Sequence, residues 1–329
     1  MKTLPRCIAL AAAFASSAVM AQVPATGTGP AWPSKPIRLV IGFPPGGATD
    51  IVARSFSQKL AEFLGQPVII DNRPGAGGVP ATEHVAKSPP DGYTLLLGTI
   101  GGLAVAMSLI PNRGYDTLRD LAPVTQPVTY TTILVVHPSL PPKSVKELLA
   151  FARARPGMLN HASSGNGTIT HLAAELFKYM GHVNMVHIPY KGNAPAMTAL
   201  LSGEVHLNFE NSLLVLPHVK SGKVRALGVT GAQRSRSLPE LPTISEAGLP
   251  GYAATGWSAF VVPAAVPKDI VTRLATEINR ALRLPEVVER LSSQGAEPLG
   301  GTPEQLGTFM RVEIDKWATL VKASNMKAD

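Results

Sequence analysis

The sequence predicts an α/β protein built on parallel sheets, and three observations carry the prediction. From Trp32 onward, short β-branched runs alternate with segments of helical periodicity. Several of these runs end in glycine-rich turns that open directly into an amphipathic segment. The 329 residues, 45% apolar and 16% charged, are enough for two domains, each with its own core.

The N-terminus stands outside this pattern. Lys2 and Arg6 precede the apolar or small stretch Cys7–Met20, and Val19-Met20-Ala21 has the small-residue form of a cleavage site. Residues 1–21 read as a secretory signal peptide cut after Ala21, and the apolar run is too short to span a bilayer. Cys7 is the only cysteine and lies too early for a lipoprotein site. The mature chain is therefore expected to have no thiol or disulfide chemistry, and a bacterial periplasm fits best. Residues 22–31 read as a flexible lead-in.

The strands expected next are Ile37–Phe43, Val68–Asp71, Thr94–Gly98, Ile133–His137, Leu159–Ser163, Val183–Tyr190, Val205–Glu210, Arg225–Thr230 and Trp257–Val262. Helices are expected between them. In Asp50–Leu64, the residues Val52, Phe56, Leu60, Phe63 and Leu64 share one face. Ser144–Ala154 opens with Ser144 and Glu147 in capping-box spacing. Thr170–Met180, Ala194–Leu201 and Ser212–Ser221 follow. The C-terminal part reads as three consecutive helices, Pro267–Leu284, Pro285–Ser293 and Thr302–Ser324, packed on a sheet rather than forming a domain of their own.

The net charge is +8, but the basic residues are scattered and no aromatic-basic motif accompanies them. No nucleic-acid partner is expected; the field favours anionic ligands. The eight histidines show no H-E-x-x-H or paired-cysteine pattern, so neither a metal nor a cofactor is expected.

Three strand-to-helix turns carry the functional signal. Phe43-Pro-Pro-Gly-Gly-Ala-Thr49 has two glycines that let a ligand approach the backbone, with Thr49 expected as the helix N-cap. Ser163-Ser-Gly-Asn-Gly-Thr168 repeats the arrangement, and Gly98-Thr-Ile-Gly-Gly102 does so less regularly. A helix start attracts an anion, although each loop alone also fits a capped helix behind a tight turn. Three such turns together point to a binding cleft at the carboxyl ends of strands. Gly165-Asn-Gly167 is only a partial dinucleotide fingerprint, no Walker lysine exists, and His161-Ala-Ser163-Ser-Gly165 lacks the first glycine of a nucleophile elbow. A secreted hydrolase using Ser163 with His171 or His187 ranks well below a binding protein.

The stretches "FPPGGATDIVAR", "LGQPVIIDNRPGAGG", "KSPPDGYTLLLGT", "LNHASSGNGTITHLAAELFK", "VHIPYKGNAPAMTALLSGEV" and "LPTISEAGLPGY" resemble the Bug family. These are periplasmic solute-binding proteins of tripartite tricarboxylate transporters, and the resemblance runs from Trp32 to the last helix. It implies a type II periplasmic-binding-protein fold, two α/β domains around a cleft joined by two crossover strands. Domain 1 would comprise 22–137 plus 228–329 and domain 2 would comprise 138–227, with crossings near Val136–Pro138 and Leu227–Thr230.

The resemblance further implies a monomeric, non-enzymatic protein that captures a small organic acid and delivers it to membrane permease subunits. A receptor-linked sensor is the alternative. Its ligand residues map to Phe43, Gly46, Gly47, Ala48 and Thr49 in the first loop and to Ser163, Ser164, Asn166, Gly167 and Thr168 in the second. Thr99 and Gly101 would line the cleft, with Tyr130 near the crossing. Two departures from the family's pattern are Gly42 before Phe43, and Glu210-Asn211 where Asp-Asn is common. The second moves the expected distal ligand contact to Glu210 and Asn211. Lys191 and the Asp71–Gly75 turn are read as surface turns.

Overall fold

The computed structural model describes residues 32–236, 238–324 and 326. The signal peptide, its cleavage point after Ala21, Cys7 and the lead-in lie outside the described residues. The strands are β1 (Ile37–Ile41), β2 (Val68–Asn72), β3 (Thr94–Thr99), β4 (Leu121–Val136), β5 (Asn160–Ser163), β6 (Val186–Pro189), β7 (Leu207–Asn211), β8 (Arg225–Val229), β9 (Thr255–Pro263) and β10 (Ala296–Pro298). The helices are α1 (Ala48–Leu64), α2 (Val79–Ala86), α3 (Ala106–Leu109), α4 (Thr117–Asp120), α5 (Val145–Ala154), α6 (Ile169–Gly181), α7 (Asn193–Ser202), α8 (Ser212–Lys220), α9 (Lys268–Leu282), α10 (Pro285–Ser292) and α11 (Pro303–Ala323). A wide helical turn, Gly101–Val105, leads into α3.

Two groups of strands share β4. In the first, β1 lies parallel to both β2 and β3, and β3 pairs antiparallel with β9. The front of β4, through Thr131, pairs with β9, and β10 joins at Val128–Tyr130. From Thr132 onward β4 pairs with β7 and β8 instead, and β5 lies parallel to β7 and β6. The strand thus passes from one lobe to the other at Thr131–Thr132. There the Thr230 hydroxyl lies 2.8 Å from that of Thr132 and 3.2 Å from that of Thr131. The chain returns at Ala254, whose N–H donates to Thr230 O at 2.8 Å.

The front of β4 escaped the sequence reading because Pro123 and Pro127 sit in it. Both fall where the β9 register shifts, between Pro123 and Thr125 and between Thr125 and Val128. A missing N–H is tolerated at such irregularities. The segment before β9 packs on the second lobe: Val229 bridges Thr243, and the Tyr252 hydroxyl donates to Ala173 O of α6 at 2.8 Å.

The C-terminal helices pack on the first lobe's sheet, as expected. Phe56 of α1 meets Phe260 of β9 edge to face at 5.3 Å. The indoles of Trp257 and Trp317 both donate to Glu313, at 2.7 and 2.8 Å, pinning α11 to β9. Thr302 and Gln305 form a complete capping box at the start of α11. At α5, Ser144 accepts the Glu147 N–H, but the Glu147 carboxylate returns to the N–H of Lys143 rather than to Ser144.

Candidate functional site

Because β1, β2 and β3 are parallel, their carboxyl ends lie along one edge of the first lobe. The same holds for β5, β7 and β6 in the second. The loops leaving these ends meet. A Cβ placed on Gly77 would fall 2.6 Å from Asn166 O, and one on Gly101 would fall 3.2 Å from Gly167 O. Gly192 faces Pro44, and the nearest second-lobe atom to Gly47 is Asn193 Oδ1. The lobes touch backbone to backbone where glycine leaves room. Gly42 plays a related part within the first lobe, since a Cβ there would lie 2.5 Å from Gly78 Cα.

A cavity of about 220 Å3 opens beside this contact. Phe43, Pro44, Gly75–Gly77 and Ile110 line it from the first lobe; Ser164–Asn166 and Pro189–Gly192 line it from the second. Of the expected ligand residues, Phe43, Ser164 and Asn166 are at the cavity. Gly101, Gly167 and Gly47 form the lobe contact beside it. Thr99 is buried at the end of β3. Tyr130 is elsewhere: its ring packs on Gly256, and it lines a separate cavity with Thr131 and Arg234 on the β10 side.

The first loop differs from expectation in its caps. Gly47, not Thr49, is the N-cap of α1, and no side chain caps it. The Gly46 N–H donates to Asp50 Oδ2 at 3.0 Å, and the Gly47 N–H reaches Pro44 O at 3.4 Å. In this conformation neither glycine N–H is turned to a ligand. Asp50 also accepts from Arg54 (2.8 and 3.1 Å) and from Asn72 (3.2 Å). Burial raises its pKa, but hydrogen bonds from Arg54, Gly46 and Asn72 outweigh that, so the carboxyl sits below its ordinary range. The anion at this helix start is the chain's own. The first-turn N–H groups of Ala48 and Thr49 still have no intrahelical acceptor.

The second loop is tied together internally. Ser164 N–H donates to Thr170 Oγ1 at 2.8 Å, and the Ser164 and Thr168 hydroxyls lie 3.0 and 2.9 Å from the same oxygen. Ser163 Oγ is 2.6 Å from His187 Nε2 and accepts the Gly165 N–H at 3.1 Å. Ser163 is fully buried, does not line the cavity, and its hydroxyl knits the loop.

Glu210 is fully buried and accepts three hydrogen bonds, from Asn193 Nδ2 (2.6 Å), Asn208 Nδ2 (2.8 Å) and the Asn211 N–H (2.8 Å). Burial raises its pKa to about 7, opposed by those donors. Its carboxylate fixes Asn193 at the start of α7, next to the cavity wall Tyr190–Gly192. Asn211 Oδ1 is buried without a hydrogen-bond partner. Lys191 is exposed, as expected of a turn, yet stands on the cavity rim. Asp71 pairs with Arg73 and Arg38 at 3.0 and 3.3 Å, a structural role as expected.

The sequence reading missed Gly77, Ile110, Asn193 and the Pro189–Tyr190 wall. A signal was present: each lies just past the end of a parallel strand, or at the helix that follows it, as the three chosen loops do. Among the described residues, no group of three or more His, Cys, Asp or Glu is arranged to hold a metal ion.

Residues 52–326 match the family described as tripartite tricarboxylate transporter family receptor. The chain belongs to that family. It is 41% identical over 297 residues to Protein BugT of Bordetella pertussis, covering 90% of this chain and 91% of that protein. Among solved structures, it is similar to R. palustris Rpa4515 with adipate (39% identity, 90% of this chain, 99% of that one, TM-score 0.87). It is also similar to the periplasmic binding protein BugD (34%, 90% and 99%, 0.86) and to MatC of Rhodopseudomonas palustris with bound malate (32%, 88% and 100%, 0.84). This receptor is therefore a solute-binding protein with the mixed α/β periplasmic-binding-protein fold, and not an enzyme. The Ser163–His187 pair belongs to its scaffold.

Proposed function

We propose that this receptor captures a small organic carboxylate between its lobes in the periplasm and delivers it to the permease subunits of a tripartite transporter. The observation that carries the reading is the meeting of the strand-end loops of both lobes around one small cavity. Its volume suits a single small acid, and relatives of the same fold hold adipate and malate. The first-turn N–H groups at Ala48 and Thr49 face the acid from the first lobe. The Ser164 hydroxyl and the Asn166 amide face it from the second, with the Thr168 hydroxyl bracing the loop behind them by donating to Gly165 O, while Phe43, Pro44 and Ile110 cover its apolar body. Gly46, Gly47 and Gly167 shape the loops, and Glu210 with Asn211 holds the wall at Asn193. Water bridges between loop and acid widen the range of acids accepted.

Ligand bridging the lobes shifts an open–closed equilibrium toward closed. The hinge lies at Thr131–Thr132 and at Thr230 with Ala254, so the second domain spans about 132–253. Those limits lie outside 138 and 227 on both sides, because 238–252 packs on α6 and β8. Export by residues 1–21, with cleavage after Ala21, and action as a monomer complete the proposal.

Native mass spectrometry of protein released gently from the periplasm tests it. A bound or exchangeable organic acid at one per chain is expected. Folded protein that carries none and takes up none of a panel of mono-, di- and tricarboxylates would sink the assignment.

A further inference from the structure

Three imidazole rings stack beneath the second clamp loop. His161 on β5 and His187 on β6 are register partners, with centroids 4.9 Å apart and planes at 17°. His171, in the first turn of α6, also stacks on His187, at 3.9 Å and 8°. His161 and His171 are almost completely buried.

Two of these rings reach the loop's backbone. The Gly167 N–H donates to His171 Nδ1 at 3.1 Å. The Gly165 N–H donates to Ser163 Oγ, which His187 Nε2 holds at 2.6 Å. Both glycines have positive φ, +124° at Gly165 and +71° at Gly167, a conformation that needs holding in place. The bonds draw these N–H groups toward the column and leave Ser164 and Asn166 at the cavity.

A ring nitrogen accepts an N–H only when it carries no proton. Burial, then His187 and Lys178, lower the His171 pKa to about 2. Glu175 Oε1 lies 3.7 Å from His171 Nε2 and 3.8 Å from His161 Nε2, and is itself held by Lys178 at 2.6 Å. The carboxylate favours the proton on His171 Nε2 and leaves Nδ1 bare.

We propose that His171 and His187 are positioning residues of the ligand clamp, whose ring nitrogens lock the Gly165 and Gly167 backbone in the form that fits a carboxylate. This rests on the capture reading above. It also explains a Ser–His pair that performs no chemistry.

The test combines hydrogen exchange over residues 160–172 with calorimetry against adipate and malate, in the full mature protein. His171→Asn places an amide oxygen near Nδ1; His171→Leu removes the acceptor. His187→Gln and His187→Leu form the second pair. Expected are faster exchange in the loop and affinity lower by about tenfold or more for the Leu variants, with Asn and Gln within about threefold of the unaltered protein. If a Leu variant fails to fold, the Asn and Gln variants with intact affinity and protection carry the support, and their loss of both overturns it. Unchanged loop exchange or unchanged affinity in folded His171→Leu overturns the positioning role while capture stands. An unaltered protein that binds no carboxylate overturns both.

Discussion

Replacing Gly77 by alanine tests whether the lobes close as the structure shows. The new Cβ would lie 2.6 Å from Asn166 O, a backbone atom of the opposite lobe. An ordinary C···O contact is about 3.3 Å or longer, so the lobes must separate by roughly 0.7 Å or strain the loop that holds Asn166. Overpacking of this kind costs roughly 1–3 kcal/mol. The open form avoids the collision, so the penalty falls on ligand binding, about five- to 150-fold in affinity. Gly77 also has φ +64°, which penalises alanine in both forms. Gly65→Ala supplies the control, since Gly65 has φ +70° with no atom within 4 Å of the new Cβ. Calorimetry with adipate and malate should show weaker binding for Gly77→Ala and unaltered binding for Gly65→Ala, while both lose a little thermal stability. Equal, unaltered affinity in the two variants would refute closure through the Gly77–Asn166 contact.

Further outcomes follow from individual groups. Glu210 titrates near 7 in the fold against its usual 4.5, so the folded state holds this proton more tightly than the unfolded chain. Stability should therefore fall as pH rises from 4.5 through 7, by about 3 kcal/mol from this residue. Glu210→Gln should flatten that slope in denaturant melts between pH 5 and 8, and an unchanged slope would assign it to another group. Asp50→Ala removes the acceptor of Gly46, Arg54 and Asn72; urea unfolding should show a loss of roughly 2–4 kcal/mol, and a loss below 1 would show that the loop does not depend on it. Lys191→Met should slow association of dicarboxylates more than monocarboxylates, by about 1 kcal/mol or less in affinity, as for an exposed rim charge; equal effects on the two classes would remove Lys191 from ligand selection.

The alternation of β-branched runs and amphipathic segments was enough to place both sheets, because a parallel strand buried on both faces leaves an uninterrupted apolar run. It failed at the front of β4, where Pro123 and Pro127 read as breakers but sit at register shifts. It failed also at β10, whose Ala296-Glu-Pro298 is too short to show a period. Within the site, the glycine loops were legible from composition. Their hydrogen bonding was not: Asp50 reads as the first residue of a helix, and nothing in its spacing reveals that it takes the Gly46 N–H. His161, His171 and His187 are spread over 27 positions and become a column only through the β5–β6 register and the return of α6. The return of the chain at Ala254 was hidden for a similar reason. Thr243 and Tyr252 bind back to β8 and α6 through contacts distant in sequence.

The central claim is that loops from both lobes grip one carboxylate. Calorimetric titration of the mature protein with the same panel of acids, in parallel with a Ser164→Ala, Asn166→Ala double variant, tests it most directly. The account predicts one-to-one binding of at least one acid, weakened at least about tenfold in a variant that circular dichroism shows to be folded at the titration temperature. Binding of equal strength in both proteins would contradict the clamp, and folded protein that binds no acid would contradict carboxylate capture itself.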